Sequence, residues 1–327
     1  MPVRTTPLMI DVDTGIDDAF ALLYACASPR ARLVGVSTVA GNVDLVSATR
    51  NTSAVLALAR RAEVPVWPGC AAPLLRAKHD ATQFHGASGL GYAELPAPAV
   101  EPSPTHAIDA ILAATNAEPA ALTLAATGPL TNVAAALLRD PDLPRRLGRL
   151  VLMGGAYREG GNVTPAAEFN IWHDPEAARI VFRAFATDGA APLIAVGLDV
   201  TRQALLRPAD LEGLARRCSA LPHGPELMRF LEHSSRHYFE TMERLTGARV
   251  FTMHDPLAVA AAIDSSLIVA QRVAVDVETA GDLTSGMTVA DWRGVWGRPP
   301  NADVAIGVDA PRFIADFLDA MERLARG

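Results

Sequence analysis

Four carboxylates, Asp11, Asp13, Asp17 and Asp18, stand within eight residues directly behind the apolar run Leu8 to Ile10. That run has the character of the end of a buried strand, and Ala19 to Ala27 reads as a helix, so the acids occupy a strand-to-helix turn. In an open parallel α/β sheet such turns lie at the carboxyl edge, where ligands bind. Asp17 and Asp18 have an ordinary explanation as complements to a helix N-terminus. Asp11 and Asp13 do not. Like charges this close raise one another's pKa unless a cation neutralises them, and hard carboxylate oxygens suit Ca²⁺ or Mg²⁺ better than Zn²⁺.

The spacing separates the metal-binding alternatives. An EF-hand loop starting at Asp11 needs glycine at its sixth position and glutamate at its twelfth, where this chain has Ile16 and Leu22. A phosphatase of the haloacid dehalogenase type also opens on a strand and Asp-x-Asp, but then needs a lysine for the phosphoryl group. The one lysine, Lys78, falls in a loop-like segment. The net charge of −7 argues against a nucleic-acid or anionic-membrane binder and favours a small substrate. Cys26, Cys70 and Cys218 are too scattered for a zinc site or a disulfide framework. No secretory signal and no apolar stretch approaching ~20 residues is present, which predicts a cytoplasmic protein and leaves the sequons at Asn51 and Asn162 without meaning.

Along the chain, β-rich runs alternate with helical ones: Arg32 to Ala40, then Asp44 to Arg61; Val64 to Trp67; a helix from Thr105, its cap, to Ala117; Ala120 to Ala126; Leu150 to Gly154; Ala190 to Gly197. This predicts one α/β domain over residues 1–327, with an open, mostly parallel, Rossmann-like sheet flanked by helices. Extra strands and helices follow at the C-terminal end, from the helices Pro208 to Arg217 and Pro225 to Leu245 to the runs Arg272 to Glu278 and Asp303 to Val308 and the helix Pro311 to Arg326. Several strand ends carry polar candidates for the shared edge. Asn42 follows the second strand, and Thr127 ends a third strand at the shared edge, its carbonyl available to a hard cation. His85 to Leu90, inside the long stretch Gly69 to Pro104, is a candidate lid. Asp174 reads as a helix cap before Pro175. His254 and Asp255 open a helix, where Asp255 reads either as a cap or as half of an acid-and-ligand pair.

With these residues in place the chain resembles the inosine-uridine preferring nucleoside hydrolase family nearly end to end. Asp11, Asp13, Gly15, Asp17 and Asp18 match the Asp-x-Asp-x-Gly-x-Asp-Asp signature. Thr-Gly-x-Leu-Thr-Asn, Met-Gly-Gly, Glu-Phe-Asn and His-Asp-Pro follow in order from Thr127, Met153, Glu168 and His254. Thr14 stands where proline is common. The resemblance implies hydrolysis of the N-glycosidic bond of a ribonucleoside of the inosine, uridine or cytidine class to free base and ribose, a step in purine and pyrimidine salvage. It implies Ca²⁺ held by Asp13, Asp18, the Thr127 carbonyl and Asp255, with Asp11 behind them, and a metal-held water as nucleophile. Asp13 would take the proton of the water. Asp17, Asn42, Asn162, Glu168, Asn170 and Asp255 would hold the ribose, with Met153 also at the substrate. His254 would protonate the leaving base, and His85 would lie near it. No redox or group-transfer cofactor is implied, and the chain is expected to form a homo-oligomer, a tetramer or dimer. The loop Lys78 to Tyr92 and the region Leu227 to Arg249 carry no matching identities, so the preferred base is not assigned. A non-catalytic Ca²⁺- or ribose-binding protein leaves His254 without a task.

Overall fold

The computed structural model describes residues 5–96, 98 and 100–327. In chain order its elements are β1 (Thr6–Val12), α1 (Ile16–Ala27), β2 (Ala31–Thr38), α2 (Leu45–Leu58), β3 (Val66–Pro68), α3 (Thr82–His85), α4 (Ala107–Ala117) and β4 (Thr123–Ala126). Then come α5 (Thr131–Arg139), α6 (Leu143–Arg146), β5 (Arg149–Met153), α7 (Phe169–His173), α8 (Pro175–Ala184), β6 (Leu193–Val196), α9 (Leu198–Thr201) and β7 (Leu205–Leu206). The remainder comprises α10 (Pro208–Cys218), α11 (Gly224–Thr246), β8 (Phe251–Thr252), α12 (His254–Ile263), β9 (Ile268–Val273), β10 (Val275–Val277), β11 (Thr288–Ala290), β12 (Ala302–Val308) and α13 (Ala310–Arg326).

The central sheet runs β3-β2-β1-β4-β5-β6-β12-β9. All its neighbours are parallel except β9, which lies antiparallel to β12 on the edge. It therefore takes strands from both halves of the chain. The order reverses between β1 and β4, and this is the point at which an open α/β sheet leaves a crevice beyond its carboxyl ends. Along β1 the side chains alternate. Leu8, Ile10 and Val12 enter the core packed beneath α1, α11, α12 and α13, where Phe20, Phe251 and Phe317 meet. Met9 enters the opposite core, beneath α4, α5 and α8. Asp11 shares the face of Met9, so a strand buried on both sides delivers a carboxylate into the interior at its last turn.

Three local expectations change. His106, not Thr105, caps α4, its ring nitrogen accepting the Ile108 amide at 3.3 Å. The run from Arg272 breaks at Ala274: β9 extends the main sheet, while β10 pairs with β11, which the sequence does not announce. Met253 rather than Asp255 occupies the cap position of α12, so Asp255 sits inside the first turn. Asp174 does cap α8, accepting the Ala177 amide.

Candidate active site

Burial of β1 and of the start of α1 carries all four N-terminal acids inside: Asp11, Asp13 and Asp18 are fully buried, and Asp17 nearly so. Each is approached by a different element. Ser37, directly opposite Asp11 in the β1–β2 register, donates its hydroxyl to Asp11 Oδ1, and Asn132 on α5 donates to the same oxygen at 2.8 Å. Asp13 is wrapped by the loops after β2 and β4. Its Oδ2 accepts the Asn42 amide at 2.6 Å, and a Cβ at Gly41 would come within 2.1 Å of that oxygen. Only a residue without a side chain allows so close an approach. Asp18 reaches back to the Gly15 amide at 2.9 Å, so it does complement its helix, but it also accepts from Thr127 Oγ1 at 2.9 Å and Asn42 Nδ2 at 3.2 Å.

From the far end of the chain α12 brings Asp255 to this cluster. Asp17, Asp18 and Asp255 each offer an oxygen within 4.8 Å of the others. No arginine or lysine joins them among the described residues. Asp11 Oδ2, Asp13 Oδ1 and Asp17 Oδ1 are buried with no hydrogen-bond partner. Burial first, and then the charge of Asp18, pushes Asp17 up to about 8 and Asp13 well above the carboxylate range. Asp255 is driven well up by burial and then by Asp17, whereas Asp11 rises to about 7 through burial. Unpaired oxygens of this kind are costly unless they meet a proton or a cation. The all-oxygen donor set fits a hard divalent ion.

Around the acids, Asn170 on α7 donates Nδ2 to the Thr127 carbonyl at 2.7 Å and to the Met153 carbonyl at 3.1 Å. The Thr127 oxygen keeps a second lone pair. Glu168 caps α7, accepting the amides of Gly155, Asn170 and Ile171 at 2.9, 2.9 and 3.2 Å. Asn162 stands apart, exposed, with its Oδ1 on the Phe169 amide at 2.9 Å. The expected lid packs directly on the acidic turn: His85 is buried, and its Nδ1 accepts the Ile16 amide at 3.0 Å and lies 3.8 Å from Asp17. Burial lowers His85 to about 3, with His254 and His237 adding to the effect. Its ring is thus neutral, with the proton on Nε2. His254 is half-buried beside Asp255, its Nδ1 2.8 Å from Thr201 Oγ1, and burial, then Arg202, lowers it to about 4.

A model of the inosine-uridine preferring nucleoside hydrolase family matches residues 8–315. The chain belongs to that family. It is 39% identical over 319 residues to the inosine-uridine preferring nucleoside hydrolase of Crithidia fasciculata, covering 97% of this chain and 98% of that one. A pyrimidine-specific ribonucleoside hydrolase of Salmonella arizonae is 37% identical over 308 residues, 94% of this chain and 96% of its own. A solved purine-preferring ribonucleoside hydrolase from Gardnerella vaginalis superposes with a TM-score of 0.90 at 33% identity, covering 98% and 99% of the two chains. This nucleoside hydrolase is accordingly an N-glycosidase that cleaves ribonucleosides.

The roles of five residues at its site escape sequence reading. Ser37 and Asn132 act only through Asp11, and their partnership depends on the β1–β2 register and on how α5 packs, neither of which a local pattern records. Asn51 ties the expected lid to the acidic turn by donating Nδ2 to the carbonyls of Ser88 at 2.8 Å and Thr14 at 3.2 Å. Tyr238, on a helix whose polar residues read as a solvated face, is buried, and burial, then the charge of Asp17, raises it. Thr201 had a usable signal: it follows the end of β6, on the same carboxyl edge as Asn42 and Thr127.

Proposed function

We propose that this nucleoside hydrolase acts in a Ca²⁺-dependent reaction on ribonucleosides of the inosine, uridine and cytidine class. The observation that carries the metal is the set of buried carboxylate oxygens left without a hydrogen-bond donor or a basic side chain. Asp13, Asp18, Asp255 and the Thr127 carbonyl would hold the ion, with Asp11 behind them; the approach of Asp17 to Asp18 and Asp255 supports a role for Asp17 in meeting a ribose hydroxyl beside it. Bound there, Ca²⁺ supplies the positive charge that lets these carboxylates ionise together and that orients and acidifies water.

The side chains account for the rest. Asp13, held from both sides by backbone, accepts the proton of the attacking water through its free Oδ1. Asp17, Asn42, Glu168, Asn170 and Asp255 line the crevice as the ribose clamp beside Met153, and Asn162 joins it from the exposed rim. His254 donates to the departing base. Its ring is neutral in the free protein, so the proton it passes on is first taken up from solvent, and the negative charge developing on the base favours that protonated form. His85 stays neutral and offers Nε2 near the same place. The products, free base and ribose, suit a salvage role. Relatives of nearly equal identity are named for inosine-uridine, pyrimidine or purine preference, so similarity alone selects no base.

Incubation with uridine, with inosine and with an aryl phosphate tests the reading against the phosphatase alternative. Free base and ribose are expected from the nucleosides. Phosphate release without base would overturn it.

A further inference from the structure

The geometry points to Thr201 as the positioning residue that holds the His254 ring in one orientation. Thr201 is fully buried, and its hydroxyl bonds no side chain but His254 among the described residues. Thr49, Thr52 and Thr115, inside longer helices, return their hydroxyls to the carbonyl four residues back, at 2.7, 2.8 and 2.8 Å, whereas Thr131 at the start of α5 gives its hydroxyl to Asp174. The first is the usual fate of a helical threonine. Thr201 forgoes it and meets His254 Nδ1 at 2.8 Å across 53 residues of sequence.

The backbone on both sides is built to keep the two in register. α9 starts hard against the β5 loop, with the Leu198 amide on the Gly155 carbonyl at 2.9 Å. A Cβ at Gly197 would lie 2.7 Å from the Tyr157 ring and 2.8 Å from that carbonyl, so the entry to α9 has no room to shift. On leaving α9 the chain enters β7, whose Leu205 and Leu206 pair antiparallel with Thr252 and Phe251 of β8. The Met253 amide then bonds the Ala204 carbonyl at 2.9 Å. This two-residue ladder stands outside the main sheet, and its effect is to fix the end of α9 against the first residue of α12, which is His254.

A hydroxyl suits the task because it is both donor and acceptor. Whichever nitrogen carries the ring's proton it can bond Nδ1, as donor to a bare Nδ1 or, after one O–H rotation, as acceptor from an Nδ1–H. A carboxylate or a backbone carbonyl only accepts, and would favour one state. With Nδ1 engaged by Thr201, Nε2 is kept for the leaving base.

This inference rests on the reading of His254 as the acid, and the experiment separates the two. Thr201→Val, which keeps the shape and removes the hydroxyl, Thr201→Ser and His254→Ala are assayed with added CaCl₂ on uridine and on p-nitrophenyl riboside, whose leaving group departs as a stable anion. We expect His254→Ala to lose roughly 10²-fold or more in kcat on uridine, the scale of general acid catalysis, and far less on the nitrophenyl substrate. Thr201→Val should lose roughly 10-fold on uridine, as for one hydrogen bond, with KM little changed, the nitrophenyl rate largely kept, and Thr201→Ser restoring activity. Equal losses of Thr201→Val on both substrates, no loss on uridine, or no rescue by serine would overturn the role of Thr201 while leaving the acid in place. If His254→Ala itself showed no contrast between substrates, the acid reading would fall, and this inference with it.

Discussion

Helix α12 carries an aspartate at each end, and the two are treated oppositely. Asp264, its C-cap, receives Arg30 at 2.9 Å and Arg312 at 2.6 Å; burial alone would raise it, but the Ser266 and Arg30 hydrogen bonds bring it down to about 2. Asp255, nine residues earlier, meets Asp17 and Asp18 instead and is driven the other way. The chain has arginine in abundance, and Asp276 alone draws in Arg183 and Arg298 at 3.0 and 3.1 Å. A fold that neutralises its peripheral carboxylates this readily, yet among the described residues brings no basic side chain to the buried group, leaves that charge to be met by a bound cation or by protons. The difference marks the site more sharply than acidity does, since both ends of the helix are acidic.

The comparison can be broken by moving the same change between the two ends. Asp18→Asn removes a charged oxygen from the buried set and should abolish turnover and Ca²⁺ binding together. Asp264→Asn should leave turnover as it is and cost about 0.5–1 kcal/mol in denaturant unfolding, because its arginine partners are substantially exposed. Next in size is the sugar. A crevice whose polar groups are shaped to ribose leaves them unpaired when a hydroxyl is missing, so kcat/KM for 2′-deoxyuridine should fall below that for uridine by on the order of 10⁴-fold. Comparable values would remove the ribose clamp from the account. The smallest effect is on stability in chelator. Folded Asp11 and Asp17 hold protons that the unfolded chain releases above pH ~4. The metal-free protein should therefore lose stability as pH rises from about 4 towards 8, and melt lower at pH 8 than at pH 5. Ca²⁺ should raise the melting temperature most at the higher pH, and a chelated protein that melts higher at pH 8 would refute the assignment.

Much of this architecture is legible in the sequence because its signals are local. The apolar run to Ile10 and the helix behind Asp18 place the acidic turn, and the alternation through Gly197 forecasts the parallel sheet whose order reverses between β1 and β4. The edge rule then collects Asn42 and Thr127 without any knowledge of their contacts. What remains hidden is long-range. That β9 joins β12 while β10 turns away to β11 depends on packing at the far edge of the sheet. Ser37 faces Asp11 only through a parallel register. Thr201 meets His254 only because a two-residue ladder aligns their segments, too short for any periodicity to show. The resemblance groups Asn162 with the ribose contacts, and only the fold shows its Oδ1 accepting the Phe169 amide on the exposed rim.

The most direct test of the central claim is calorimetric titration of the chelated enzyme with Ca²⁺, followed on the same sample by release of base from uridine. The account predicts one Ca²⁺ per chain, no activity before its addition, and recovery in step with site occupancy. Absence of Ca²⁺ binding, or full activity after exhaustive chelation, would contradict it.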